Sequence, residues 1–173
     1  MVRQNQSPTA LCGLKVLDLS RILAGPSATQ LFADLGADVV KVENPDGGDD
    51  TRRWGPPFSR LTDGQRGDAT YFSACNRNKR SVTVDFSCES GASLLRDLSA
   101  KADILVENFR PGGLQKYGLD YTSIVAVNPG IIYCSITGFG QTGPYASRPG
   151  YDFLIQGMGG LMSITGQPDG TPG

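Results

Sequence analysis

Apolar and polar positions along this chain fall into two alternating periods. Residues 15–19 (Lys-Val-Leu-Asp-Leu) read as a short strand. Residues 26–35 read as a helix, with Pro26 in its first turn and Gly36 just past its last. Leu31, Phe32 and Leu35 give that helix one apolar face. Residues 38–42 (Asp-Val-Val-Lys-Val) then form a second strand. Strand, helix and strand within about thirty residues make a βαβ unit, whose strands are parallel.

The alternation continues. Residues 44–67, rich in Gly, Pro, Asp and Arg, are expected to be loop. Residues 81–85 are a strand, and 89–100 a helix with Leu94, Leu95 and Leu98 as its buried stripe. Residues 104–106 are a strand, 121–127 a short helix and 131–135 a further strand. A loop over 138–150 leads to a glycine-interrupted helix over 152–162. This order predicts an α/β fold with an open, doubly wound parallel sheet. A tail over residues 1–12 precedes one domain over 13–173, whose closing turn chemistry (Gln167 to Gly173) leads one to expect a further element.

Composition removes whole classes of chemistry. The 173 residues are 39% hydrophobic and 19% charged, the profile of a soluble globular protein, and a formal net charge of −1 advertises neither a nucleic-acid nor a membrane partner. No apolar run reaches the length of a membrane span, and the first eleven residues lack the apolar core of a secretory signal. Histidine is absent, which removes Ser-His and Cys-His catalysis and most zinc chemistry. Cys12, Cys75, Cys88 and Cys134 form no C-x-x-C pair, so no metal site is expected and the thiols read as scattered buried residues. Catalysis must use carboxylates, tyrosine, lysine or backbone dipoles.

Four segments are candidates for binding. The first strand–helix turn (Ser20 to Ser27) lies where a doubly wound sheet takes its ligands, but it lacks the G-x-G-x-x-G fingerprint; it is either an anion site or a plain turn. Trp54, in a proline-stiffened loop, either walls a substrate or covers the core edge among solvated charges. Arg77, Lys79 and Arg80 suit an anion or a solvated turn. Asn108, after a buried strand, caps a turn or meets a ligand.

The segments LKVLDLSRILAGPSATQLFADLGADVVKVENP, GDDTRRWGPPF, NRNKRSVTVDF, DILVENFRPGGLQKYGLDY, NPGIIYCSITGFGQTGP and RPGYD, in this order, resemble the family III CoA-transferases. The resemblance runs from about Gly13 to Gly173. It implies a Rossmann-like domain that binds acyl-CoA at its strand-end loops, the N-terminal part of an interlocked homodimer. The positions matching the family's CoA contacts are Leu23, Ala24, Asn44, Val84, Asp85, Phe86, Ser87, Asn108, Phe109, Arg110 and Lys116. Some members carry Arg where this chain has Asn44, so Arg80 or Lys79 is a candidate replacement. Tyr151 matches an active-site tyrosine and Trp54 a tryptophan lining the acceptor site. Leu23 stands where some relatives have Gln, which points away from formate or oxalate and toward a longer dicarboxylate such as succinate or glutarate.

The resemblance further implies that an aspartate carboxylate attacks the thioester and becomes an enzyme–CoA thioester, with no metal. Asp169 is the obvious candidate but matches a variable turn residue, and Asp152 is expected to cap the following helix; the nucleophile is expected beyond Gly173. The chain alone is then expected to be an inactive CoA-binding piece. The competing readings are an acyl-CoA racemase, whose His base stands where this chain has Tyr151, and a non-catalytic CoA-binding fragment. The expected compartment is the cytoplasm or the mitochondrial matrix.

Overall fold

A computed structural model describes residues 9–166 and Gly170. Asp169 lies outside the described residues. The chain divides into two compact units, Met1–Ile136 and Thr137–Gly173.

The first unit is built on five parallel strands: β1 (Lys15–Asp18), β2 (Asp38–Glu43), β5 (Arg80–Thr83), β6 (Ile104–Glu107) and β7 (Ile132–Ser135). They lie in the order β5-β2-β1-β6-β7. Chain order therefore reverses at β1, and the topological switch point falls between β1 and β6, as in a doubly wound sheet. Side chains alternate across the sheet. Val16, Val39 and Val106 pack with Ala33 of α1 (Ala24–Asp34) on one face. Leu17, Leu19, Val42 and Leu105 pack with Leu95 of α3 (Glu89–Ser99) and Ile124 of α4 (Tyr121–Val127) on the other. Burial on both faces is what a parallel sheet needs, and it explains the near-continuous apolar runs of its central strands.

Two helix faces differ from the expected pattern. Leu31 of α1 and Leu35 at its C-cap are exposed, and the inward face is Gly25, Pro26, Thr29, Gln30 and Ala33, with Phe32 half-buried. A polar Thr29 faces inward because it serves the buried Asp18 carboxylate, with Oγ1 donating at 2.6 Å. The first turn also lies too close to the loop after β1 for bulk: a Cβ on Gly25 would stand 2.2 Å from Ser20 Cβ. In α3, Leu95 is fully buried and Leu98 half-buried, while Leu94 faces out.

The segment expected as continuous loop has structure. A 3-10 turn (Asp50–Arg53) leads to an antiparallel hairpin, β3 (Phe58–Arg60) and β4 (Arg66–Ala69), and then to α2 (Thr70–Asn76). Asp49 caps the 3-10 turn by accepting from Thr51 N–H at 3.0 Å. Of the cysteines only Cys75 is buried; Cys12, Cys88 and Cys134 are exposed.

The second unit carries a loop, α5 (Asp152–Met158) and α6 (Leu161–Ile164). The helix expected over 152–162 breaks at Gly159 and Gly160, where Gly160 takes a φ of 82°. Asp152 is the first helical residue and accepts from Gln156 Nε2 at 2.6 Å; the cap position belongs to Tyr151.

Candidate functional site at the switch point

Four strand ends open into one cleft. The C-terminal ends of β1, β2 and β5 and the loop after β6 line a cavity of about 200 Å³. In an open α/β sheet the crevice beside the switch point is where ligands enter. A Cβ on Gly91, in the first turn of α3, would stand 2.0 Å from Asp85 O, so a glycine lets that helix start directly behind the wall formed by Asp85, Phe86 and Ser87.

The floor of the β2 side is ionic. Lys41, only 1% exposed, donates to Ser20 O at 2.8 Å and pairs with Asp49 at 2.9 Å. The Asp49 carboxylate also accepts from Ile22 N–H at 3.1 Å and from Thr51 Oγ1 at 2.7 Å. One buried pair thus ties the loop after β1 to the loop after β2. Burial raises the cost of ionising Asp49, but the Lys41 and Thr51 donors outweigh it and hold its pKa below the usual carboxylate range. Beside it, Glu43 accepts two N–H bonds from Arg52, both at 2.7 Å, together with Ser81 Oγ at 2.6 Å and Asp49 N–H at 2.8 Å. Burial again opposes the charge, and these donors overcome it, lowering the Glu43 pKa to about 2. Arg52 reaches Asp68 of β4 at 2.6 Å, which anchors the hairpin to the cleft. Asp49 and Arg52 of this segment are therefore structural, whereas the side chains of Asp50 and Arg53 stand exposed.

The cations before β5 form no anion site. Lys79 is buried against Asp18 at 3.0 Å and also donates to Pro26 O and Asn76 Oδ1. Burial lowers its pKa, with Asp18 pulling the other way. Arg77 pairs with Asp34, and Arg80 pairs with Asp38 at 2.6 Å at the start of β2, the opposite strand end from the cleft. Neither Lys79 nor Arg80 is placed to replace the charge absent at Asn44.

The β6 side is held by a neutral amide. Asn108 clamps the first loop from both directions: Arg21 N–H donates to its Oδ1 at 2.8 Å, and its Nδ2 donates to Arg21 O at 2.7 Å. Glu107 is buried and accepts from Phe109 N–H at 2.7 Å. Burial pushes the Glu107 carboxyl pKa up, against the bonds from Ser135 and Phe109. Arg21 was not singled out by the sequence, yet it lines the cleft, and its guanidinium lies 5.5 Å from the ring centre of Phe109, another lining residue.

The profile of CoA-transferase family III matches residues 11–173. The chain belongs to this family. It is 58% identical to the succinate–glutarate CoA-transferase of Agrobacterium fabrum, over 97% of this chain and 42% of that protein. It is 49% identical to the human succinyl-CoA:glutarate CoA-transferase, over 92% of this chain and 35% of that one. A solved CAIB/BAIF family protein from Brucella suis superposes with a TM-score of 0.91 at 62% identity, covering 96% of this chain and 43% of its own. The chain spans less than half the length of these relatives.

Against the family III pattern, the structure gathers some expected positions and separates others. Asn44, Val84, Asp85, Phe86, Ser87 and Phe109 all line the cleft. Leu23 and Ala24 stand at the exposed start of α1, and Asn108 spends its amide on the Arg21 backbone. Arg110 is exposed after β6, and Lys116 lies over the Tyr117 ring at 4.6 Å. Trp54 is 48% exposed and meets Tyr71 edge-on at 5.7 Å, so it is not a core residue. Tyr151, 70% exposed, belongs to the second unit.

Proposed function

We propose that this chain supplies the acyl-CoA-binding part of a CoA-transferase that moves CoA between an acyl-CoA and a dicarboxylate such as succinate or glutarate. The observation that carries this reading is the near-complete match, at 58% identity over 97% of the chain, to a protein named for succinate and glutarate. The cleft supports it: a switch-point crevice that gathers six of the expected contact positions suits a nucleotide-bearing thioester. The Agrobacterium fabrum and human relatives are named as CoA-transferases, which favours transfer over racemisation.

In the proposed reaction an aspartate carboxylate supplied after Gly173 attacks the thioester carbon and expels CoA thiolate, leaving a mixed anhydride. The thiolate then attacks the aspartyl carbonyl and releases the donor acid, giving an enzyme–CoA thioester. The acceptor carboxylate attacks that thioester and expels CoA thiolate, forming a second mixed anhydride; the thiolate then attacks the acceptor's carbonyl carbon, giving the new acyl-CoA and releasing the aspartate carboxylate. This chain's share is to hold CoA; the family resemblance assigns Trp54 to the acceptor site and Tyr151 to the thioester. The parent protein is proposed to act as a homodimer.

The test is direct. The 173-residue chain should bind CoA by calorimetry and show no turnover with succinyl-CoA and glutarate. Turnover that survives Asp169→Ala, or that is abolished by that change alone, would place the nucleophile inside this chain and overturn the division proposed. Absence of CoA binding would overturn the assignment of the cleft.

A further inference from the structure

The cleft has two lining cations, Arg21 and Lys41. Lys41 is neutralised by Asp49. Arg52, behind the cleft wall, is neutralised by Glu43 and Asp68. Arg21 is exposed, and among the described residues its guanidinium forms no ion pair. One cleft carboxylate, Asp85, also lacks a cation; it accepts from Ser87 N–H and Oγ at 2.9 and 2.6 Å. Asp85 follows β5, two strands away from the β1 loop that carries Arg21. The cleft is therefore polarised, with its uncompensated positive charge at the β1–β6 end.

Arg21 is also held unusually firmly for an exposed residue. Asn108 fixes its backbone N–H and carbonyl together. The next residue, Ile22, has a φ of 69°, a left-handed conformation that a β-branched side chain rarely adopts. Its N–H is bound by the Asp49 carboxylate. A strained turn over-determined from both rims is a feature that clusters at ligand sites. An arginine fixed through its backbone, but left without a counter-ion beside a cleft, is prepared to receive an anion through its fork of N–H donors.

We propose that Arg21 is the phosphate-binding cation of the cleft, and that Asn108 is a positioning residue that aims it rather than a contact to the ligand. The proposal rests on the acyl-CoA reading above. It moves the missing charge at Asn44 to the β1 loop, where a phosphate of CoA would meet a guanidinium at the open end of the switch point.

The experiment titrates CoA into the 173-residue chain and its Arg21→Gln, Arg21→Lys and Asn108→Ala variants by calorimetry, at low and at raised salt. Arg21→Gln should weaken CoA binding about tenfold with an unchanged thermal midpoint, and should flatten the dependence of affinity on salt. Arg21→Lys should retain the salt dependence with a smaller loss. Asn108→Ala should flatten the salt dependence to a lesser degree. Unchanged affinity and salt dependence in Arg21→Gln, with CoA still bound by the parent chain, would overturn this proposal and leave the acyl-CoA reading standing. A loss of affinity in Arg21→Gln whose salt dependence matches the parent chain's would make the role structural and overturn it too. A parent chain that binds no CoA would instead overturn the reading on which the proposal rests.

Discussion

On the β2 rim of the cleft, Lys41, Asp49, Glu43 and Arg52 hold two loops with buried charges that are paired and hydrogen-bonded. On the β6 rim, the same task falls to a neutral amide, Asn108, beside a carboxyl, Glu107, that has no cation among its described partners. Both rims end strands adjacent to β1, and both bind backbone groups of the loop after it. The difference lies in how each tolerates change. A buried ion pair is costly to form but far more costly to break, because the surviving partner is left charged and dry. A neutral clamp loses only its hydrogen bonds.

The largest expected effect breaks the ionic rim. Lys41→Met strands Asp49 in the interior and removes the bond to Ser20 O, so denaturant unfolding should show a loss of about 3–5 kcal/mol. Asn108→Ala on the other rim should cost clearly less in the same assay; an equal loss would erase the distinction.

A second test uses acid. The Glu43 pKa is depressed in the fold from 4.5 to about 2. A depressed carboxylate stabilises the fold above its unfolded pKa and loses that contribution as pH falls through the folded value. Roughly 3 kcal/mol of stability should therefore disappear between about pH 4.5 and pH 2, at about 1.36 kcal/mol per pH unit, and Glu43→Gln should flatten the curve there. An unflattened curve would show that the donors around Glu43 do not favour its charge.

The smallest effect concerns Glu107, where the sign reverses. Its pKa is raised by burial, so the folded state prefers the protonated form and loses stability as pH rises above the ordinary carboxylate range. Glu107→Gln should change stability by no more than about 1 kcal/mol, in the stabilising direction at neutral pH. A large loss instead would mean that the Glu107 charge is used, and would make the two rims alike.

Much of the fold was legible because the central strands of the parallel sheet are buried on both faces and carry short apolar runs. The strand at 15–19, the helix over 89–100 and the short helix at 121–127 stand close to where periodicity puts them. The inward face of α1 was not legible, since Thr29 turns inward for Asp18 and Leu31 turns out. The hairpin β3–β4 was hidden because its residues are polar and rich in turn formers, and a salt bridge from Arg52 to Asp68 fastens it. In the site, the positions after β5 that the motif marks all line the cleft, whereas the cation cluster at the start of β5 is spent on Asp18, Asp34 and Asp38.

By itself, then, the sequence determined the α/β class, the parallel connection of the strands and the family, because local periodicity and ordered motifs are properties of contiguous residues. Only the tertiary structure decided which charges are free. Lys79 and Asp18 lie 61 positions apart, and Asn108 and Arg21 lie 87 apart, and no local pattern signals that such groups will meet. Pairing across those separations takes Lys41, Lys79 and Arg80 out of ligand binding and leaves Arg21, unremarked in the sequence, as the cleft-lining cation without an ion pair among the described residues.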